Sequence, residues 1–149
     1  MEITIADSIK YVGVNDYDLD LFESQYVLEN GMAYNSYVIL DEKIAVMDSV
    51  DKIAVDRWLA SLDEVLGDKT PDYLIVHHLE PDHSFGIQAA ADKYPEMKLV
   101  LSASALRMLP QFCDVDAARV QAVKENDTLS LGEHTLTFLM APMVHWPEV

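Results

Sequence analysis

The apolar positions of this chain change period part-way along it. Up to about residue 47 they come in short runs without helical spacing. Residues 3–14 are expected to form short strands, with Tyr11-Val12-Gly13-Val14 rich in strand formers and Asn15-Asp16 marking a turn. Residues 25–28 and 36–40 predict two strands joined through the turn pair Asn30-Gly31. A second hairpin runs from 38–40 through Asp41-Glu42-Lys43 to 44–47. From residue 53 to 66 the spacing becomes helical: Ile53, Trp58, Leu59, Leu62 and Leu66 form one stripe, with Asp51 placed to cap the start and Gly67 the end. Strand and helix then alternate. Tyr73-Leu74-Ile75-Val76 is a nearly continuous apolar run, as in a strand buried on both faces. Residues 84–94 predict a helix, 98–101 a buried strand, and 103–112 a helix broken near Pro110. Residues 120–123 and 127–131 predict short strands, and 134–140 alternates with period two. Hairpins followed by alternating helix and strand predict an α/β (α+β) arrangement, a sheet covered by helices with a second sheet layer behind it.

Composition narrows the class. The 149 residues suffice for one domain of ordinary size, and with 50% hydrophobic residues and only five glycines a packed core is expected. A formal charge of −16 argues against a broad affinity for nucleic acid or anionic membrane, since both require a basic face. No apolar run approaches a membrane span, and the first residues lack a basic-then-apolar signal pattern, so a cytoplasmic location is expected. The single cysteine, Cys113, excludes an intrachain disulfide framework.

The chemistry concentrates in Val76-His77-His78-Leu79-Glu80-Pro81-Asp82-His83-Ser84-Phe85-Gly86. His78, Glu80 and Asp82 fall at i, i+2 and i+4, so an extended backbone would point all three one way. Pro81 favours an extended Glu80, and His83 follows where a helix is expected to begin. Helix capping would account for Asp82 or Ser84, but leaves His78, Glu80 and His83 without a role. A metal site accounts for all of them. Structural zinc favours cysteine-rich closed shells, whereas a mixed imidazole and carboxylate set suits catalytic zinc, iron or manganese. Two carboxylates, one from each half of the loop, favour a binuclear site. A second acidic group, Asp16, Asp18, Asp20 and Glu23, is spaced somewhat like a calcium loop but lacks its glycine and closing glutamate, and reads as a solvated connection.

The pattern His78-x-Glu80-x-Asp82-His83, with His145 further on, resembles the metallo-β-lactamase-like domain of the flavodiiron proteins, also called A-type flavoproteins. Glu80 stands where the hydrolytic members of that superfamily have a histidine, a change that accompanies iron in place of zinc. Leu21-Phe22-Glu23, the run from Gly31 to Tyr37, and His145-Trp146-Pro147-Glu148 also resemble family segments. The resemblance implies an αββα sandwich. It implies one iron on His78, Glu80 and His145, and a second on Asp82 and His83, with His77 a neighbour. His134 has no counterpart in the pattern and reads as a surface residue of a turn.

The family pattern also includes a bridging aspartate and a last histidine beyond the position of His145, and a flavodoxin-like domain carrying FMN. Residues 1–149 therefore resemble about the first half of the sandwich, a partial diiron domain with the flavodoxin-like domain absent. The function implied is the N-terminal portion of a flavodiiron oxidoreductase, reducing dioxygen to water or nitric oxide to nitrous oxide. A flavin domain or rubredoxin would be the electron donor. Uncovered strand edges lead us to expect a homo-oligomer. The alternatives are an inactive metal-binding or assembly fragment, or a dizinc hydrolase of the same superfamily, against which Glu80 counts.

Overall fold

One mixed sheet carries the fold. The structure, a computed structural model, describes residues 3–149. Its first part is built of short strands: β1 (Ile3–Ala6), β2 (Ile9–Tyr11), β3 (Val14–Asp16), β4 (Leu21–Phe22), β5 (Tyr26–Val27), β6 (Met32–Tyr34), β7 (Tyr37–Ile39) and β8 (Ala45–Met47). β1, β2, β7 and β8 pair antiparallel in that spatial order. The mode then changes to crossovers. Helix α1 (Val55–Leu66) leads to β9 (Tyr73–Ile75), parallel to β8. Helices α2 (Pro81–Ser84) and α3 (Gly86–Lys93) lead to β10 (Lys98–Ser102), parallel to β9. Helix α4 (Ala103–Met108) leads to β11 (Val120–Val123), parallel to β10, which completes a seven-stranded sheet. The hairpin of β12 (Thr128–Ser130) and β13 (Thr135–Thr137) follows.

The strand pattern explains the two cores. Along β9 and β10, Leu74, Leu99 and Leu101 face α1 and α3 and pack with Trp58, Leu62 and Ile87, while Ile75 and Val100 face the other way. That second face, with Ile39, Ala45 and Val123, is covered by Leu129, Leu131 and Leu136 of the β12–β13 region. A strand buried on both faces has no polar alternation, and this is why 73–76 reads as an unbroken apolar run. Helix α1 follows its expected stripe, burying Trp58, Leu62 and Leu66. Asp51 accepts from the Ile53 N–H of the single 3-10 turn ahead of α1, and Gly67, at φ 57°, returns its N–H to the Asp63 carbonyl.

Three expectations are corrected. β5 pairs with β4 and not with β7, and β6 pairs with β3. Gly31 sets this arrangement: at φ 76° it lies so close to β3 that a Cβ there would sit 2.0 Å from the Asp16 carbonyl oxygen. The acidic stretch 16–23 is partly ordered rather than simply solvated, because buried Asp16 accepts from the Asp18 and Leu19 N–H groups through Oδ1. His134 is more than a surface turn residue. It is half-buried, its Nδ1 lies 2.6 Å from Asp41 Oδ2, and its Nε2 lies 3.0 Å from Ser8 Oγ. These contacts tie the β12–β13 hairpin to the turns at 7–8 and 40–44.

Candidate metal centre

The candidate residues leave the carboxyl ends of the parallel strands, where open α/β sheets present their side chains to a ligand. Asp48 follows β8, and His77 to His83 follow β9. The ligand loop is extended only as far as Glu80, at φ −56° and ψ 145°. Pro81 then starts α2, because its fixed φ suits the first helical position and its missing N–H is not needed there. Asp82 therefore projects from a helical turn. The expected i, i+2, i+4 row holds for His78 and Glu80 and breaks at Pro81.

His78, Glu80 and His145 nevertheless converge, each offering a ligand atom within 4.8 Å of the others. Glu80 Oε2 is the common point, 3.0 Å from His78 Nε2 and 2.7 Å from His145 Nε2. Asp82 and His83 form a looser pair beside them, with His83 Nε2 3.6 Å from Asp82 Oδ2 and the His78 and His83 rings 5.3 Å apart. All five expected ligands thus surround one small volume. His77 stays outside it, half exposed, with Nδ1 3.9 Å from Asp48 Oδ2.

Two acids missed in the sequence complete the arrangement. His78 Nδ1 lies 2.7 Å from Glu148 Oε1, and His83 Nδ1 lies 2.5 Å from Asp48 Oδ2. Each imidazole thus has Nδ1 on an outer carboxylate and Nε2 facing a candidate ligand, Glu80 for His78 and Asp82 for His83, the geometry in which an outer carboxylate sets the tautomer of a metal-binding histidine. Sequence gives little sign of either pairing, although Glu148 falls in a segment that resembles the family. Asp48 reads as the end of a strand, and Glu148 lies seventy positions from the ring it holds.

The donor set fits a cation. A neutral His78 that donates Nδ1–H to Glu148 presents a bare lone pair at Nε2 to the Glu80 carboxylate, so a proton or a metal ion belongs between them. Asp82 Oδ1 is buried without a hydrogen-bond partner among the described residues, which a ligating oxygen would explain. The electrostatics agree. Burial pushes the Glu80 carboxyl up, but the hydrogen bonds and charges of His145 and His78 outweigh it and hold the group below its ordinary value. Asp82 is pushed up, chiefly by burial and further by Glu80, against the pull of His83. Burial lowers the affinity of His83 for its proton, yet the hydrogen bond and charge of Asp48, with Asp82 and Glu80, raise it overall.

Comparison with known proteins places this geometry. Residues 32–149 match the family model described as ODP family beta lactamase. The chain is 37% identical to the diflavin flavoprotein A 1 of Synechocystis, over 97% of its own length and 25% of that protein. It is 31% identical to a nitric oxide reductase of Moorella thermoacetica, over 98% of this chain and 37% of that one. Among solved structures, the rubredoxin oxygen:oxidoreductase of Desulfovibrio gigas superposes with a TM-score of 0.92 at 32% identity, over 99% of this chain and 37% of that one. The chain belongs to the flavodiiron protein family. A flavo-diiron protein of Clostridium acetobutylicum is 34% identical over 98% of this chain and 37% of its own length. The chain spans between a quarter and just over a third of the length of these relatives, and it matches the N-terminal metallo-β-lactamase-like part of the family.

A cavity of about 340 Å³ opens beside the candidate ligands of this flavodiiron chain, lined by Leu19, Leu21, Phe22, Tyr34, Glu80 and Asp82 among others. The Tyr34 hydroxyl is pushed up to about 12, first by burial and then by the charges of Asp51, Asp16 and Asp82. It stays protonated at neutral pH.

Proposed function

We propose that this chain is the diiron-binding portion of a flavodiiron oxidoreductase that reduces dioxygen to water or nitric oxide to nitrous oxide. The observation that carries the reading is the meeting of His78 Nε2, Glu80 Oε2 and His145 Nε2 within 4.8 Å, beside the Asp82 and His83 pair. In this reading His78, Glu80 and His145 hold one iron, and Asp82 and His83 contribute to the second. The mixed set of imidazole and carboxylate is harder than the histidine-rich sets that zinc takes, which supports iron. The irons supply redox chemistry and open positions for a diatomic gas.

The protein's own residues supply shape and charge. Glu148 and Asp48 keep His78 and His83 turned inward. The mostly apolar cavity beside Glu80 and Asp82 suits a small uncharged substrate. No helix among the described residues is long and apolar enough to cross a membrane. FMN would act from the flavodoxin-like part of a longer protein, with that flavin domain or rubredoxin as the electron donor.

The test is ferrous iron loading without oxygen, followed by elemental analysis and assay of gas consumption with a reduced flavin donor. Unequal loading is expected, since this chain offers three ligands to one ion and two to the other. Iron bound in preference to zinc supports the reading. Zinc preference with ester or phosphodiester turnover would favour the hydrolase, and binding of neither metal would reject a metal centre.

A further inference from the structure

Glu148 is 2% exposed, and its carboxylate does more than fill space. Oε1 lies 2.7 Å from His78 Nδ1 and accepts the Leu79 N–H at 3.1 Å. Oε2 is buried and has no hydrogen-bond partner among the described residues. The main chain of the same residue is held too, its carbonyl accepting from Ser102 Oγ at 2.8 Å. Three residues earlier, His145 reaches Glu80, and between them Trp146 sets its ring edge-on to His78 with centroids 4.8 Å apart. Hydrogen bonds from Ala141 N–H to the Val149 carbonyl and from Met143 N–H to the Trp146 carbonyl close this turn on itself.

A buried carboxylate with one oxygen unpartnered is unfavourable as a purely structural clamp, because the Leu79 N–H would be satisfied equally well by a neutral acceptor. A negative charge set behind an imidazole has a specific consequence. It holds the proton on Nδ1, leaves the Nε2 lone pair free to face Glu80, and increases the electron donation of that lone pair toward a cation.

We infer that Glu148 is the positioning residue for the first metal site: its charge, acting through His78, fixes the ligating tautomer and strengthens metal binding. The inference rests on the reading of His78, Glu80 and His145 as metal ligands. Because one short turn carries both His145 and Glu148, the placement of one ligand and the orientation of another are set together.

The test uses cobalt(II) as the probe, titrated into the 149-residue chain and into Glu148→Gln. Glutamine keeps an oxygen for both His78 and Leu79, removes the charge, and sets its amide NH2 where the unpartnered Oε2 lies. The metal-free variant is expected to melt as the parent does, to bind cobalt about 10- to 100-fold more weakly, and to show shifted visible absorption bands. Equal affinity with unchanged bands would overturn the inference and leave Glu148 a clamp. Should the variant fail to fold, nitrogen NMR of the histidines in the metal-free parent decides. A proton on Nδ1 of His78 is expected, whether or not Nε2 shares one with Glu80, and a proton on Nε2 alone overturns the inference. A parent that binds no cobalt overturns the metal-site reading itself, and this inference with it.

Discussion

Asp48 shows how much a single residue does at this site. It lies at φ 66°, a left-handed conformation that only short polar side chains and glycine adopt readily. Its N–H donates to the Ile75 carbonyl, its own carbonyl accepts from Ser36 Oγ, and its carboxylate holds His83. Asn tolerates the same backbone, so Asp48→Asn is expected to fold normally and to bind the second metal about 10- to 100-fold more weakly, as read by metal titration. Asp48→Val places a β-branched residue in that conformation and should lower unfolding stability by about 1–3 kcal/mol, measured in urea. The contrast between such residues and the ligands is one of sequence distance. Four of the five expected ligands are legible because they fall between 78 and 83. His145 is legible only through the family resemblance, and Asp48 and Glu148 are hidden because their histidines lie 35 and 70 positions away.

Between elements, α3 fits closely against α1. A Cβ on Gly86 would sit 2.8 Å from Trp58 Cζ3 and 3.0 Å from Ser49 Cβ. Trp58 cannot retreat, being fully buried with its indole N–H on Ser36 Oγ at 3.0 Å. Gly86→Ala is therefore expected to destabilise by about 1–3 kcal/mol in chemical unfolding, although alanine is the better helix former. The β12–β13 hairpin offers a second test. Asp41 accepts N–H bonds from His134, Glu133 and Glu42. The backbone bond from His134 is the largest influence, and it holds the Asp41 carboxyl well below the usual range against the effect of burial. A carboxyl lowered in the folded state stabilises fully above its unfolded value of about 3.9, and loses that contribution as pH falls through the folded value. Asp41→Asn should lower the thermal midpoint at pH 7, with the gap to the parent closing on acidification below about pH 4. The elements themselves are largely legible, since α1 and the parallel strands carry their period in the sequence. The pairing of β3 with β6 and of β4 with β5 is not, because a turn signal such as Asn30-Gly31 marks where a chain bends but not which strand it returns to.

For the whole molecule, 26 acidic against 10 basic residues produce self-repulsion. Raising salt from about 0.01 M to about 0.15 M shortens the screening length to about 8 Å and should raise the thermal midpoint in differential scanning calorimetry. A fall would mean that local pairs such as Lys43 with Asp72, 2.9 Å apart, outweigh the net charge. The proposed first metal position joins groups 65 and 70 residues apart in the chain. During synthesis the histidine loop after β9 emerges from the ribosome well before the turn that carries His145 and Glu148. A nascent chain can therefore present Asp82 and His83, with Asp48 already behind them, while His78 still lacks the carboxylate that orients it. Metal captured at that stage would be held by an incomplete set of ligands. Insertion at the first position belongs after the turn carrying His145 and Glu148 has emerged, when the two distant stretches have met.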